Sequence, residues 1–280
     1  MEIGVSTGFF HNQSIFDALE AIKESGIEYI ELWTYSRILD TTKHFDPSDP
    51  VQVGLLKKKI DETGLKPVSI HAPFCAEIDI SYRDEKIRQE SVNIAVLCAG
   101  ALSKVSGGHE HVKTLVVHPS SVPLKHEESN IRMEQARKSV MEIVERIKPM
   151  NVKLALENQL PHIFGHKPET LLALVNGIAP EDAGFCFDVS HASMHRNTSI
   201  EAYFDKFLDK VLALHVSDSD FLHDNHFSFG EGKILWQNFF DKLKASGFSG
   251  IFMNETLLEI PGKNKTETLK SIKERELKFL

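Results

Sequence analysis

The sequence predicts an α/β protein built as a single (β/α)8 barrel, and three observations support this fold class. Short apolar or β-branched segments alternate with segments of helical periodicity, and this strand–helix unit recurs eight times in 280 residues. The first strand is followed by STGFFHN rather than by the Gly-rich turn typical of a doubly wound open sheet. No Pro-, Gly- or Ser-rich linker divides the chain, so we expect one barrel domain over residues 1–280.

The predicted elements follow from these two periodicities. The strands are Ile3–Ser6, Tyr29–Leu32, Val68–His71, Thr114–His118, Lys153–Glu157, Ala183–Asp188, Val211–Val216 and Gly250–Glu255. The helical segments are Ile15–Ile22, Leu55–Ile60, Ser91–Leu102, Met133–Ile147, Thr170–Leu174, Ile200–Phe207 and Trp236–Leu243. Gly26 and Gly64 follow the first two helical segments, where glycine commonly ends a helix. Residues 263–280, which contain KTETLKSIKEREL, are predicted to form a charged, solvated helix or tail.

Composition and charge narrow the class of protein. Hydrophobic residues make up 41% of the chain and the net charge is −8, a balance with no general attraction for nucleic acid or an anionic membrane. The start MEIGVSTGFF lacks a signal-peptide pattern, and no segment reaches the roughly 20 apolar residues of a membrane helix. The three cysteines form no CxxC pair, which indicates reduced thiols and a cytoplasmic protein. Whether the chain forms a homo-oligomer stays open.

Six successive predicted strands end in a side chain that can bind a divalent cation. These strand-end residues are His71, His118, Glu157, Asp188, His215 and Glu255. In a (β/α)8 barrel the C-terminal strand ends converge on one mouth. Carboxylates gathered there would repel one another and lose hydration unless a cation neutralised them. The pattern therefore predicts a metal site for an ion such as Zn²⁺, Mn²⁺, Co²⁺ or Fe²⁺.

Three further residues extend this predicted ligand set. His191 follows Asp188 by three residues, so the loop can return it to the same mouth. Asp224 and His226 lie in the segment HDNHFSFGEG, on the loop after His215. The nine candidates together exceed the four to six ligands that one ion takes.

These motifs resemble the xylose isomerase-like TIM-barrel superfamily, which contains sugar phosphate isomerases and epimerases together with endonuclease IV. The resemblance runs from Ile3 to Glu255 and rests on SIHAPF, VVHPSS, LALEN, CFDVSHA, LHVSDSD, DNH, GEG and FMNET. Its sugar-acting members imply one divalent metal, accompanied by His191 and held by Glu157, Asp188, His215 and Glu255. Its endonuclease IV members imply three zinc sites: His71 and His118 with Glu157; Asp188, His215 and Glu255 with the same glutamate; and His191, Asp224 and His226. We therefore expect one to three ions of Mn²⁺, Zn²⁺ or Co²⁺.

The first functional hypothesis is a divalent-metal-dependent isomerase or epimerase that acts on a sugar or polyol. A proton next to a carbonyl is removed and returned, and the ion stabilises the intervening enediolate. Glu157 and Glu255, on strands five and eight, are the predicted catalytic base and acid. The predicted substrate-binding side chains are Trp33, Phe74, Asn158 and Asp218.

Two alternatives use the same mouth. An endonuclease IV-like multinuclear zinc phosphodiesterase (an AP endonuclease) must hold a polyanionic DNA backbone. The basic residues identified in the mouth loops are Arg37, Lys43, Lys125, Arg196 and Lys233, while the strand-three loop carries Glu77 and Asp79. Such scarcity favours a small sugar or polyol over nucleic acid as the partner, and mildly favours a neutral sugar over a sugar phosphate. A metal-dependent dehydratase or lyase acting on a related polyol or hydroxy acid remains an open alternative, since it would use the same metal and glutamates.

Overall fold

The computed structural model describes residues 1–34 and 44–280, and it confirms the (β/α)8 barrel. Arg37 and Lys43, two of the basic mouth residues, lie outside the described residues. Eight parallel strands close in chain order, and β1 pairs with β8. The strands are β1 Glu2–Ser6, β2 Tyr29–Trp33, β3 Lys66–His71, β4 Thr114–Val117, β5 Lys153–Glu157, β6 Ala183–Asp188, β7 Val211–Val216 and β8 Ile251–Asn254.

The strand ends require three small corrections to the prediction. β4 ends at Val117, where its ladder with β5 stops, so His118 opens the following loop. β8 ends at Asn254, and Glu255 therefore begins the next loop while its N–H still bonds the Val216 carbonyl. β2 continues to Trp33, which is the last residue of a strand rather than part of a loop.

Helices follow the strands around the outside of the barrel. They are α1 Ile15–Ser25, α2 Pro50–Thr63, α3 Glu85–Val105, α4 Ser129–Ile147, α5 Pro168–Val175, α6 Val189–Ser193, α7 Ile200–Phe204, α8 Trp236–Ala245 and α9 Lys265–Glu276. Gly26 and Gly64 end α1 and α2 at φ 77° and 76°, the left-handed conformation predicted for them. The segment predicted to be helical to Phe207 ends at Phe204, because the chain turns there toward β7.

The main hydrophobic core lies between the barrel wall and the helices. Phe185 and Phe187 of β6 pack outward against Phe204, Phe207 and Phe239. The same core extends from α1 to α9. Within the described ranges, no helix has both the length and the apolar character needed to cross a membrane.

The C-terminal segment differs from the prediction of a solvated helix or tail. It forms α9, which begins with a capping box between Asn264 and Glu267. Leu269 and Ile272 are both 0% exposed and belong to the core. Apart from the buried Glu276, the charged residues that suggested a solvated element are exposed or half-buried, while the buried face closes the ring of helices against α1.

Candidate metal centre

Four of the predicted ligands meet at the C-terminal mouth of the barrel. Glu157 ends β5, Asp188 ends β6, His215 lies on β7 and Glu255 follows β8. One potential donor atom from each lies within 4.8 Å of the other three. All four residues are buried, and Glu255 is the most exposed at 8%. The barrel thus brings three carboxylates and one imidazole into a single small volume.

The donor atoms of this cluster have no hydrogen-bond partner among the described residues. They are Glu157 Oε1, Asp188 Oδ2, His215 Nδ1 and Glu255 Oε2. His215 Nδ1 lies 2.9 Å from Glu255 Oε2, but the pair lacks hydrogen-bond geometry. Leaving buried polar atoms unpaired costs about 1–3 kcal/mol each, and more when they are charged. A divalent cation would satisfy all four at once, and carboxylate with imidazole is a donor set that such ions accept.

Glu31 orients the histidine of this cluster. Its Oε2 lies 3.0 Å from His215 Nε2 and accepts a hydrogen bond from Ser69 Oγ at 2.8 Å. Because a carboxylate can only accept, His215 carries its proton on Nε2 and turns the Nδ1 lone pair toward the cluster. Glu31 is absent from the sequence prediction, although an acidic residue inside the buried strand YIELW is a signal that could have identified it.

A second group of ligands surrounds the other oxygen of Glu157. His71 Nε2 and His118 Nε2 lie 3.1 Å and 3.2 Å from Glu157 Oε2. His71 Nδ1 lies 2.8 Å from the Ala72 carbonyl, so this nitrogen carries the proton. Its Nε2 therefore faces a carboxylate with a lone pair, unless a proton or a metal ion lies between them.

A third group joins His191 of α6 to Asp224 and His226 of the loop after β7. His191 Nε2 and His226 Nε2 point at Asp224 Oδ1, at 3.5 Å and 3.0 Å. The Nδ1 atoms of the two rings lie 2.9 Å from the carbonyls of Asn158 and Glu255, respectively, so Nδ1 is the donor in each ring. The structure thus brings together all nine predicted ligands in three adjoining groups.

The carboxylates change the acidity of the imidazoles. Burial alone would lower the pKa of His71, but the adjacent Glu157 outweighs it and the pKa rises to about 9. Burial also opposes the charged form of His226, and Asp224 again dominates, so its pKa rises to about 9. In the absence of a metal, protons therefore take the place of cations between these histidines and carboxylates.

The carboxylates respond according to their surroundings. Burial acts to raise the pKa of Glu157, but His118 and His215 hold it well below its usual range. The same competition leaves the pKa of Glu255 lowered to about 2, with His215 as the main opposing charge. For Asp188 burial wins, and its pKa rises to about 6. These opposed shifts in one cluster are typical of functional sites.

Two of the predicted substrate contacts, Asn158 and Asp218, also make hydrogen bonds within the protein. Asn158 is 1% exposed, and its side chain forms two hydrogen bonds with the Asp188 backbone. Asn158 Nδ2 donates to the Asp188 carbonyl at 2.9 Å, and Asn158 Oδ1 accepts from the Asp188 N–H at 2.7 Å. Asp218, also 1% exposed, accepts bonds from Gly230 N and Trp236 Nε1, both at 3.0 Å. Both side chains already hydrogen-bond to the backbone and side chains that shape the mouth, and their contact with substrate stays a prediction.

The two predicted aromatic contacts occupy different surroundings. Phe74 is 36% exposed and stacks on His118, one of the predicted ligands, with ring centroids 4.0 Å apart. Trp33 lies edge-on to His44 at 6.2 Å and against Gly8, on the β1–β2 side of the mouth. Phe74 lines a pocket of about 220 Å³ that also contains Glu157 and Glu255, whereas the described lining of that pocket does not include Trp33.

The pocket over the ligands contains residues that the sequence prediction missed. Gln159 and Ser121 line it, together with the apolar side chains of Leu160 and Ile163. Gln159 follows LALEN directly, and its position beside a strand-end glutamate was the available signal.

The acidic character expected of the β3 loop is only partly present. Asp79 is 1% exposed and pairs with Arg132 at 3.1 Å, so its charge is neutralised inside the protein. Ser81 and Ser120 also donate hydrogen bonds to its carboxylate. Glu77 alone of the two remains exposed, so this loop presents one acidic side chain at the surface rather than the two that the sequence predicts.

The fold and this mouth define a parallel (β/α)8 barrel with a buried carboxylate–imidazole centre. The family model described as "Xylose isomerase-like TIM barrel" matches residues 19–275. The chain belongs to this family.

Individual relatives are distant but match along most of their length. An uncharacterized protein of Methanocaldococcus jannaschii is 25% identical over 283 residues, which cover 97% of this chain and 87% of the relative. Fructoselysine 3-epimerase of Escherichia coli O157:H7 is 23% identical, and the match covers 92% of this chain and 94% of the relative. A solved D-tagatose 3-epimerase-like protein has a TM-score of 0.82 at 22% identity, and the match covers 100% of this chain and 97% of that protein. A solved L-ribulose 3-epimerase has a TM-score of 0.81 at 17% identity, with 100% and 95% covered. The structural likenesses show the shared fold.

Proposed function

We propose that the protein is a divalent-metal-dependent isomerase or epimerase that acts on a sugar or polyol. The observation that carries the proposal is the buried cluster of four unpaired donor atoms at the barrel mouth, two of which belong to Glu157 and Glu255. A sugar substrate is supported by family membership and by relatives named fructoselysine 3-epimerase and L-ribulose 3-epimerase. Mn²⁺, Zn²⁺ and Co²⁺ all suit the donor set.

Glu157, Asp188, His215 and Glu255 would hold the ion. It would supply a Lewis acid for the substrate carbonyl and stabilise the negative charge of an enediolate. Glu31 holds the His215 ring in the ligating tautomer, at 3.0 Å from Nε2. The burial of the four side chains would limit the access of bulk water to the ion.

Proton transfer falls to the two glutamates. Glu157 on β5 and Glu255 after β8 reach the pocket from separate sides of the barrel. One carboxylate takes the proton from the carbon beside the carbonyl, and the other returns a proton to the opposite face, which inverts that centre. Two imidazoles, those of His71 and His118, hold the Glu157 Oε2 atom in place. Phe74 covers the pocket from above.

The proposal is tested by proton exchange in D₂O. Metal-loaded protein is incubated with neutral and phosphorylated ketoses, and NMR follows deuterium entering the carbon next to the carbonyl. We expect deuterium in one ketose and in its epimer. Glu157→Gln and Glu255→Gln should each lower the exchange rate by about 100-fold or more, the usual scale for a positioned acid or base.

Glu259→Gln is the matched control, because Glu259 is an exposed glutamate on the loop that follows β8. It should exchange protons at the wild-type rate. Loss of water from the substrate without epimer formation would point instead to a dehydratase or lyase. Absence of exchange and of dehydration with all ketoses would overturn the proposal.

A second candidate, the multinuclear zinc phosphodiesterase, is favoured by one specific observation. The groups His71–His118–Glu157 and His191–Asp224–His226 offer two further candidate metal sites beside the first. We therefore propose a paired measurement of metal content and of incision of an abasic-site DNA duplex. Three Zn²⁺ per chain with incision that Glu157→Gln abolishes would establish this candidate, whereas one ion and intact DNA would exclude it.

A further inference from the structure

A second cavity opens beside the pocket that contains the two glutamates. It has a volume of about 810 Å³ and is bounded by the β5–α5 loop, the segment after α6, α7 and the β7–α8 loop. We call it the side groove. Leu160 and Asp224 line both the side groove and the smaller pocket, so the two spaces adjoin. A substrate with its reacting carbon over Glu157 and Glu255 can extend directly into the groove.

Three cationic side chains line the side groove. Lys167 comes from the β5–α5 loop, Arg196 from the segment between α6 and α7, and Lys206 from the turn after α7. Among the described residues these three side chains form no ion pair, in contrast to Lys242 and Lys148, which pair with Asp205 and Asp182. Three uncompensated positive charges around one groove stand out in a chain whose net charge is −8.

The acidic residues of the groove do not cancel these charges. Asp224 points its carboxylate at His191 and His226 in the metal centre. Glu169 is the other carboxylate in the lining. The side groove therefore presents a net positive surface directly beside a cluster of negative ligands.

The rest of the lining suits a polar carbon chain. His166 and His195 stack with ring centroids 6.0 Å apart. One ring nitrogen of each approaches a backbone carbonyl, which leaves the other nitrogen to accept from a hydroxyl. Phe221 and Leu222, 38% and 61% exposed, supply apolar surface on the opposite side.

We infer that the side groove binds an anionic group, a phosphate or a carboxylate, on the end of the substrate away from the reacting carbon. The inference rests on the proposed function and defines its substrate class as an acidic or phosphorylated sugar. Sequence alone predicts Arg196 on this side of the mouth; the fold adds Lys167 and Lys206. The earlier expectation of a neutral sugar changes accordingly. A volume of 810 Å³ lies in the range of small-molecule sites, roughly 300–1,000 Å³, which favours a small anion over a DNA backbone.

The test compares three ketoses that differ at C6. They are D-fructose, D-fructose 6-phosphate and the hexulosonate in which C6 is a carboxylate. We expect kcat/KM for at least one anionic probe to exceed that for D-fructose by about tenfold or more, the scale of a charge-assisted contact. The variant Arg196→Gln/Lys206→Gln should raise KM for that probe about tenfold and leave kcat/KM for D-fructose within about twofold. The preferred probe identifies the group as phosphate or carboxylate.

The control variant is Lys104→Gln/Lys113→Gln, which removes one exposed and one half-buried lysine near the opposite end of the barrel. It should leave KM for every probe unchanged. Equal kcat/KM for the neutral and anionic probes would overturn the inference. The same holds if the groove variant loses as much kcat/KM with D-fructose as with the anionic probe. In both cases the proposed function stands.

Calorimetric binding keeps the inference testable if no probe reacts. D-fructose 6-phosphate and the hexulosonate are then titrated into the metal-loaded wild-type protein and the groove variant. An anionic probe that binds, and whose affinity falls about tenfold in the variant, supports the groove even though the proposed reaction fails. Equal binding of D-fructose and both anionic probes overturns it. So does an abasic duplex that binds through the same two residues and is incised.

Discussion

Glu31 determines which nitrogen of His215 can reach a metal ion. Its carboxylate accepts from His215 Nε2 and from Ser69 Oγ, and all three residues are buried. The same principle recurs at His71, His191 and His226. In each ring Nδ1 bonds to a backbone carbonyl, which leaves Nε2 free to bind a metal ion. Such outer partners fix the tautomer and ring orientation of ligating histidines.

Removal of the Glu31 carboxylate should weaken metal binding without unfolding the barrel. We expect Glu31→Ala to lower the affinity for Co²⁺ by about 10–100-fold, because His215 is no longer held in the ligating tautomer. Glu31→Gln still offers an acceptor oxygen and should lose less. Competition with a chelator gives the affinity, and the visible spectrum of bound Co²⁺ reports the ligand geometry.

Glu28→Gln provides the comparison for Glu31, since Glu28 lies just before the same strand and pairs with Lys66 at the surface. It should bind Co²⁺ like the wild type. Unchanged Co²⁺ affinity in Glu31→Ala, with the fold intact by circular dichroism, would show that Glu31 does not act through His215.

At the scale of single elements, α9 is the clearest departure from the sequence prediction. In sequence its charged residues surround Leu269 and Ile272, and these two side chains pack into the core shared with α1. Glu276, in its last turn, is also buried and accepts a hydrogen bond from Asn254 Nδ2 at 3.1 Å. Burial raises the pKa of Glu276 well above its usual range, which favours the uncharged carboxyl in the folded protein. Asn254 precedes Glu255, and α9 therefore supports the strand end that carries a catalytic candidate.

Truncation of a core side chain in α9 should destabilise the whole barrel. We expect Leu269→Ala to lower the free energy of unfolding by about 2–5 kcal/mol, the usual cost of such a cavity. Urea denaturation followed by circular dichroism measures the change. Lys270→Ala, on the neighbouring exposed position, should stay within about 0.5 kcal/mol of the wild type. Equal stability of the two variants would show that α9 contributes to the fold no more than a solvated tail does.

At the scale of the molecule, closure of the barrel concentrates charge at its mouth. Ligands from β3 and from β5 to β8 converge there, and their histidines and carboxylates face one another. The folded pKa of His71 and His226, about 9, exceeds the ordinary value of 6.5. Their protonated forms therefore stabilise the metal-free fold fully below pH 6.5, and this contribution is lost as the pH rises through 9.

Metal-free protein should accordingly become less stable between pH 6.5 and pH 9. The raised pKa of Asp188, about 6 against an ordinary 3.8, lowers stability as the pH rises from 3.8 to about 6, so its contribution is already lost below this range. We expect a loss on the order of a few kcal/mol, measured by urea denaturation in the presence of a chelator. Excess Mn²⁺ or Zn²⁺ should stabilise the fold and remove most of the pH dependence, since the ion replaces the protons. Stability that is flat over this range without metal would contradict the charge arrangement at the mouth.

Much of the fold and the ligand set was accessible from the sequence. The strands β5, β6 and β7 have the predicted bounds, because runs such as LALE and GFCFD combine buried apolar residues with a polar end. All nine candidate ligands converge, because parallel strands in a closed barrel present their C-terminal ends at one mouth. The internal hydrogen bonds of Asn158 and Asp218 could not be predicted, since a polar side chain near a mouth bonds to backbone or substrate according to the rotamer it adopts.

The sequence by itself determined the barrel and the residue types gathered at its mouth, because strand periodicity and strand-end residue types are local properties of the chain. Only the tertiary structure decided three further features. These are the contact of Glu31 with His215, the burial of α9, and the meeting of Lys167, Arg196 and Lys206 around one groove. Each joins residues far apart in sequence, and their proximity follows from the closure of the barrel rather than from any local pattern.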